Sequence, residues 1–183
     1  MTILVGLSGS LRHHSFNSGL LRAAVEEMPD GARLDIGSIA DVPLYNGDVE
    51  AEGIPAAVIR LKDQVAAADG LLLVTPEYNN GIPGVFKNVI DWLSRPSSDI
   101  ARIFGGKAVG VIGTSPGRFG TLSAQTAWLP VLRTLEADHW SGGRLVVSDA
   151  SALFDGSGDL ADGATRARLR KYLAGFVAHI QRT

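Results

Sequence analysis

The chain opens with an apolar segment that runs directly into a polar loop and then into a helical pattern. Residues 3–7 read Ile-Leu-Val-Gly-Leu, and residues 8–17 contain three serines, one arginine and one asparagine. Apolar residues at helical spacing follow: Leu20, Leu21, Ala24, Val25 and Met28. A loop between a buried strand and a helix N-terminus presents free backbone N–H groups at the positive end of the helix. The opening therefore predicts an α/β fold that binds phosphate.

The composition of this loop narrows the kind of phosphate compound. The loop lacks the G-x-x-x-x-G-K-[ST] pattern of triphosphate sites and the G-x-G-x-x-G pattern of dinucleotide folds. Hydroxyl groups with few glycines suit a single phosphomonoester, such as the one in FMN. Hydroxyl and amide donors and one fixed charge are available from Ser10, Arg12, Ser15, Asn17 and Ser18. Ordinary helix capping is the alternative role for these serines and the asparagine.

Apolar runs alternate with amphipathic stretches along the whole chain. The predicted strands are residues 3–7, 33–36, 70–75, 107–113 and 145–147. The predicted helices are residues 18–27, 55–67, 83–94, 121–135 and 161–180, with Pro130 expected to kink or split the fourth. Residues 39–53 are predicted to be a long polar connection. Strands separated by helices form a parallel sheet. We therefore predict one flavodoxin-like domain over residues 1–183, with a doubly wound five-stranded sheet of order 2-1-3-4-5.

A second polar segment, Thr-Pro-Glu-Tyr-Asn-Asn-Gly-Ile-Pro-Gly at residues 75–84, follows the third predicted strand. In the predicted order the first and third strands are neighbours at the point where the chain reverses direction across the sheet. Ligands of such sheets bind beside the carboxyl ends of the strands at this switch point. Both polar segments therefore face one crevice, and Tyr78 offers a flat face for a ring there.

Two motifs together resemble the NADPH-dependent FMN reductase family, which includes bacterial chromate, quinone and azo-dye reductases. They are Ser-Leu-Arg-x-x-Ser-x-Asn at residues 10–17 and Pro-Glu-Tyr-Asn-x-x-x-Pro-Gly-x-x-Lys-Asn-x-x-Asp-Trp at residues 76–92. The resemblance implies that the FMN phosphate is held by Ser10, Arg12, Ser15, Asn17 and Ser18. It also implies that the isoalloxazine ring lies along Pro76, Glu77, Tyr78 and Asn79.

The loop after the fourth predicted strand adds Ser115 and Gly117, which by the same resemblance touch the flavin edge. Pro116 between them departs from the commonest family pattern. Glu77 is expected to orient its loop rather than to act as a base, because hydride transfer to a flavin needs no strong protein base. No protein side chain is expected to be catalytic, since flavin N5 carries the chemistry. Arg118 is a candidate for attracting the phosphates of a nicotinamide cofactor, and the alternative role is that of an exposed or intersubunit cation.

The resemblance implies an FMN-dependent oxidoreductase that passes hydride from NADPH or NADH through FMN to a quinone, azo, chromate or flavin acceptor. Two alternatives are a flavodoxin-type electron carrier and a flavin-binding regulator without turnover. Carriers are usually much more acidic than this chain, in which 17 basic and 19 acidic residues give a net charge of −2. A homodimer or homotetramer is expected from the family. The apolar residues of predicted helix 83–94, which occupy more than one face, favour the same conclusion.

The same composition argues against other partners and sites. A near-neutral chain is not expected to bind nucleic acid or an anionic membrane. No apolar run approaches the roughly 18 residues that span a bilayer. The chain has no cysteine, which fits a reducing compartment, and no histidine or carboxylate cluster suggests a metal. Its N-terminus lacks a basic leader pattern, so a cytoplasmic location is expected.

Overall fold

The computed structural model describes residues 1–182, which build one parallel β-sheet with helices on both faces. The strands are β1 (Thr2–Ser8), β2 (Ala32–Gly37), β3 (Gly70–Val74), β4 (Ala108–Thr114), β5 (Asp138–His139) and β6 (Leu145–Val147). The helices are α1 (Phe16–Glu26), α2 (Gly47–Glu52), α3 (Ala56–Ala66), α4 (Gly84–Leu93), α5 (Ile100–Ile103), α6 (Leu122–Thr134), α7 (Ala150–Leu153) and α8 (Gly163–Ile180). A 3-10 turn at Ser97–Asp99 precedes α5.

The order of the sheet is β2-β1-β3-β4-β5, with β6 also paired to β4, and all pairs are parallel. The predicted flavodoxin-like order is therefore confirmed. The chain moves from β1 outward to β2 and then crosses to β3 on the other side of β1. The switch point lies between β1 and β3, where the register pairs Ser8 with Val74.

The fifth position of the sheet differs from the prediction, because two short strands share it. β5 pairs with the beginning of β4, and β6 pairs with its end. Between them the chain leaves the sheet at Trp140, whose buried ring packs edge-on against Tyr172 at a centroid distance of 4.7 Å. Docking of this ring onto α8 displaces the backbone, so the fifth strand is interrupted rather than continuous.

The central strands are buried on both faces, as their apolar sequences predict. Leu71 and Leu73 point into a core shared with α3, α4 and α6, whereas Leu72 and Val74 point into a core shared with α1 and α8. Each fully buried side chain of this size contributes roughly 1.5–3 kcal/mol to folding. The sheet is thus a rigid platform whose carboxyl edge carries the loops described below.

Helix α6 continues through Pro130, so the predicted split does not occur. Trp128 and Leu132 lie on either side of Pro130 and are fully buried. Burial of these side chains offsets the cost of about 3 kcal/mol that an interior proline imposes.

The connection at residues 39–53 contains a helix that the sequence analysis missed. Asn46 caps α2 by accepting a hydrogen bond from the Asp48 N–H at 2.9 Å. The preceding residues 39–46, which we call the connecting segment, lie along α4. Pro43 O there accepts hydrogen bonds from the Trp92 indole N–H and the Asn88 amide, both at 2.8 Å.

The connecting segment helps to cover the apolar residues of α4 that were expected to contact a second subunit. Trp92 is fully buried, and its ring meets that of Tyr45 edge-on at 5.0 Å. Phe86, Val89, Ile90 and Leu93 of α4 are buried as well. The apolar surplus of α4 is therefore covered by the chain itself, and it gives no evidence for a second subunit.

Within residues 1–182, no helix has both the length and the apolar character that a membrane span requires.

Candidate functional site

Three loops meet at the carboxyl edge of the sheet around the switch point. The first loop (residues 9–15) follows β1, the second loop (residues 75–83) follows β3, and the third loop (residues 115–121) follows β4. Because β1, β3 and β4 are adjacent, the three loops are neighbours. Every predicted site residue belongs to one of these loops or to the first turn of α1.

Two glycines show how closely the loops approach one another. A Cβ atom on Gly9 would lie 2.3 Å from the Phe86 ring and 2.9 Å from Pro76. A Cβ atom on Gly113 would lie 2.1 Å from the backbone oxygen of Thr75. Real Cβ atoms do not approach so closely, so glycine lets the first loop pack against the Phe86 and Pro76 side chains and lets β4 approach the backbone of Thr75.

The first loop presents an open helix N-terminus. Ser15 is buried and caps α1, its hydroxyl accepting a hydrogen bond from the Ser18 N–H at 3.3 Å. The backbone N–H groups of Phe16 and Asn17, the first two residues of α1, have no acceptor within residues 1–182. Two free donors at the positive end of a helix are the arrangement that binds an anion.

Arg12 lies beside this helix end. Its guanidinium carbon is 5.1 Å from the centre of the Phe16 ring, and the side chain is otherwise exposed. Arg12 has no carboxylate partner in the described part of the chain. An unpaired guanidinium next to two free N–H groups favours a doubly charged phosphate.

Ser10 and Ser18 both line a cavity beside the first loop. The Ser10 hydroxyl accepts a hydrogen bond from the Arg12 N–H at 3.4 Å, and the hydroxyls of Ser18 and Ser8 are 3.0 Å apart. The cavity has a volume of about 480 Å³ and extends from the first loop to the end of β2. Arg12 and His13 line it as well, so its polar wall is basic.

Asn17 is oriented differently from the prediction for its side chain. It is only 5% exposed, and its amide makes two hydrogen bonds to the backbone of Thr114. Nδ2 donates to Thr114 O at 2.8 Å, and the Thr114 N–H donates to Oδ1 at 3.0 Å. In this arrangement the Asn17 backbone N–H stays available to a ligand, while its side chain connects α1 to the end of β4.

The second loop contains a tight turn with an unusual backbone. The N–H groups of Tyr78 and Gly81 each donate to the carbonyl of the other residue, at 3.1 and 3.0 Å. Asn79 and Asn80 between them have φ angles of 50° and 59°. Two successive residues with positive φ form the turn that joins tight hairpins, and asparagine tolerates it better than most residues. The turn projects Tyr78, which is 50% exposed, from the edge of the sheet.

Pro76 and Glu77 form the base of the second loop. Pro76 is buried against the first loop, next to Gly9. The Glu77 carboxylate accepts a hydrogen bond from the backbone N–H of Ala124, in the first turn of α6, at 2.9 Å. This contact connects the second loop to α6, and the orienting role expected of Glu77 stays a prediction.

The third loop is closed by the Ser115 hydroxyl. It donates to Gly120 O at 2.7 Å and accepts from the Gly117 N–H at 3.2 Å. Pro116 fits this closed loop without disturbing it, and the tip carries Arg118 and Phe119 into solvent, with Phe119 79% exposed.

Thr114 was missed by the sequence analysis. It ends β4, and its buried hydroxyl has no hydrogen-bond partner within residues 1–182. A buried hydroxyl without a partner is unusual and marks a place where a ligand can supply one. The signal in the sequence was weak, because a threonine that ends a strand is common.

Contacts or burial shift the pKa of two groups elsewhere in the structure. The pKa of Glu50, in α2, is lowered by its hydrogen bonds from Arg95 and Tyr45. The pKa of His139, beside the interrupted fifth strand, is lowered by burial.

Comparison with known proteins gives a consistent result. The profile of the family described as NADPH-dependent FMN reductase matches residues 1–152. An NAD(P)H-dependent FMN reductase of Pseudomonas aeruginosa is 40% identical over 179 residues, covering 98% of this chain and 95% of that protein. A quinone reductase of Escherichia coli K12 is 37% identical over 187 residues, covering 98% and 95% respectively.

A solved structure is also similar over the full length. FerB from Paracoccus denitrificans, a flavoenzyme NAD(P)H:(acceptor) oxidoreductase, superposes with a TM-score of 0.88 at 31% identity. The match covers 100% of this chain and 98% of that one. All three loops lie within the region that these proteins share with this chain.

Proposed function

Because this chain belongs to the NADPH-dependent FMN reductase family, we propose that its three carboxyl-edge loops bind FMN and that NAD(P)H reduces a quinone there. The observation that carries the proposal is the open N-terminus of α1. Two backbone N–H groups without acceptors, beside the unpaired Arg12, form a site for one phosphate at the switch point of the sheet. FMN ends in one phosphate.

The residues present fit this cofactor. In our proposal the phosphate is held by the N–H groups of Phe16 and Asn17 and by the side chains of Arg12, Ser10, Ser15 and Ser18. The buried Thr114 hydroxyl offers a further polar contact between the first and third loops.

The ring end of the cofactor is assigned to the second and third loops. Pro76, Glu77, Tyr78 and Asn79 would line one edge, with exposed Tyr78 providing an aromatic surface. Ser115 and Gly117 would approach the other edge, and closure of their loop by the Ser115 hydroxyl keeps it compact. Bound FMN supplies the hydride-accepting and electron-donating chemistry. The protein supplies position, fixed donors and access.

The enzyme interpretation is favoured over an electron carrier or a regulator without turnover. The relatives are reductases over their full lengths, and the net charge of −2 lacks the acidic surface of a docking carrier. Among acceptors, quinones have the support of the relatives. Azo dyes, chromate and free flavin remain predictions.

We also propose that the chain forms a homodimer or homotetramer in the cytoplasm. Leu122 and Leu129 on α6 are 42% and 43% exposed, and Phe119 lies nearby on the third loop. Together they form an apolar surface near the proposed ring end that a second copy could cover. Light scattering at micromolar concentration tests this proposal, and a monomer would contradict it.

The experiment that tests the function uses the purified protein with its native cofactor. Flavin released by denaturation is identified by chromatography, and the holoprotein is mixed anaerobically with NADPH or NADH and then with a benzoquinone. We expect the released flavin to be FMN. We expect NADPH or NADH to bleach the spectrum of the oxidised flavin, and the benzoquinone to restore it without any partner protein. FAD as the major flavin, or no flavin binding on reconstitution, would contradict the proposal. A requirement for a protein partner would favour the electron carrier.

A further inference from the structure

The third loop has a contact on either side of it, one from a side chain in the first turn of α1 and one from a side chain in the second loop. At its start, the Asn17 amide makes two hydrogen bonds to Thr114, although the two residues are 97 positions apart in the sequence. The pair is buried, so water does not compete for these hydrogen bonds. The first turn of α1 and the start of the third loop therefore move together.

At its end, the third loop leads into α6, whose first turn lacks a local cap. Thr121, the N-cap residue, makes no capping hydrogen bond, because its hydroxyl accepts from the Gln125 amide at 3.1 Å. Glu77 of the second loop supplies the missing acceptor through its contact with the Ala124 N–H. A carboxylate at a helix N-terminus is also favoured by the helix dipole.

We infer that Asn17 and Glu77 are positioning residues that set the third loop relative to a flavin bound by the first two loops. The inference rests on the proposed function. Asn17 lies in the first turn of α1 and Glu77 in the second loop, yet both side chains hydrogen-bond to the backbone of the β4–α6 region. Each makes the geometry of residues 115–120 depend on a different neighbouring loop.

The chemistry of the two contacts differs, and this difference provides a specific test. Asn17 must both donate and accept, so aspartate at this position would place a carboxylate oxygen against Thr114 O in a buried site. Glu77 only accepts, so glutamine at this position retains the hydrogen bond to Ala124. Asn17→Asp and Glu77→Ala should therefore be impaired, and Glu77→Gln should be impaired less than Glu77→Ala.

The test compares the binding of FMN and riboflavin, which differ only by the phosphate, through quenching of flavin fluorescence. We expect Asn17→Asp and Glu77→Ala each to lower the affinity for FMN and for riboflavin on the order of tenfold. In Glu77→Ala the ratio of FMN to riboflavin affinity should stay at its wild-type value. In Asn17→Asp the new carboxylate also repels the phosphate, so the affinity for riboflavin, which has no phosphate, is the informative measurement for that variant. Arg12→Ala is the contrasting control, because loss of a phosphate contact should reduce that ratio.

A second measurement separates positioning from simple stabilisation of α6. With flavin and NADPH both saturating, the rate of flavin reduction should fall in Glu77→Ala and recover in Glu77→Gln. Amide exchange at Ala124 should accelerate in Glu77→Ala only. Because Glu77 is partly exposed, its variants should fold. The comparison of Glu77→Ala with Glu77→Gln therefore tests the inference even if Asn17→Asp does not fold.

Three outcomes would overturn the inference. One is unchanged riboflavin affinity in Asn17→Asp, which would show that the contact of Asn17 with Thr114 does not position the loops around the flavin ring. Another is a Glu77→Gln variant as impaired as Glu77→Ala. A third is an unchanged reduction rate in Glu77→Ala. A wild-type protein that binds neither flavin would instead overturn the proposed function, and this inference with it.

Discussion

Replacement of Arg12 by alanine is the most direct test of the phosphate site. The Arg12 side chain is exposed, has no ion-pair partner among residues 1–182, and contacts the Phe16 ring at the start of α1. Removing it should therefore affect ligand binding far more than folding. A hydrogen bond that involves a charged group contributes about 1.5–3 kcal/mol. Since about 1.4 kcal/mol corresponds to a tenfold change, FMN affinity should fall by roughly tenfold to a hundredfold.

The effect on folding should be smaller. The contact between Arg12 and Phe16 is an exposed cation–π interaction, which is worth about 0.5–1 kcal/mol. Urea denaturation of the apoprotein should therefore show a loss of no more than about 1 kcal/mol in the free energy of unfolding. Arg12→Lys should give an intermediate FMN affinity, because lysine keeps the charge but not the planar pair of donors.

Arg22→Ala is the matched control. Arg22 lines the same cavity, but Asp159 balances its charge through an ion pair of 2.5 Å. Fluorescence titration of the apoprotein with FMN should show an Arg22→Ala affinity within about twofold of the wild type, since no unpaired charge is removed. Unchanged FMN affinity in Arg12→Ala would refute the assignment. An equal loss in Arg22→Ala would show that the overall basic charge, not a contact, is responsible.

Four further predictions concern kinetics, specificity and stability. Steady-state data should show parallel double-reciprocal lines with NADP⁺ competing against the quinone, because one crevice serves both substrates; converging lines would contradict this. Arg118→Ala should lower catalytic efficiency with NADPH more than with NADH. Equal losses would show that Arg118 does not contact the 2′-phosphate of NADPH. Trp92→Phe should cost about 1–2 kcal/mol in urea denaturation, since it loses the hydrogen bond to Pro43 O and part of the contact with Tyr45; an unchanged midpoint would refute this. Hydrogen bonds from Lys62 and Arg102 lower the pKa of Asp99, so the stabilising effect of the Asp99 carboxylate is complete above the unfolded value of 3.8 and is lost as pH falls below that value. Thermal melts of Asp99→Asn should therefore show a smaller loss of stability in acid than the wild type. An unchanged pH profile of the melting temperature would contradict this prediction.

The sheet and the meeting of its loops could be predicted because their signals are local. Apolar runs such as residues 70–74 identify buried strands, and the alternation with helices fixes a parallel order with one switch point. The position of the polar segments after β1 and β3 then follows from the chain itself. The fifth strand was predicted less well, because docking of Trp140 onto α8 is a tertiary effect that no local pattern reveals.

The contacts of the site residues could not be predicted from the sequence, because they too are tertiary contacts that no local pattern reveals. The motif identified Asn17 and Glu77, but their partners are the backbones of Thr114 and Ala124, and any residue offers a backbone. The motif also contained Asn88 and Trp92, whose hydrogen bonds to Pro43 depend on the path of the connecting segment. Helix α2 was missed because its six residues are too few for an apolar period to appear.

The third loop is fixed at its base and open at its tip, and this arrangement has a consequence for adaptation. Pro116, Gly117, Arg118 and Phe119 are exposed and contribute little to the core. Substitutions at such positions usually change the free energy of unfolding by no more than about 0.5 kcal/mol. New acceptor preferences could therefore arise at the tip without a compensating change elsewhere. A library restricted to residues 116, 118 and 119 would explore substrate range while nearly every member still folds.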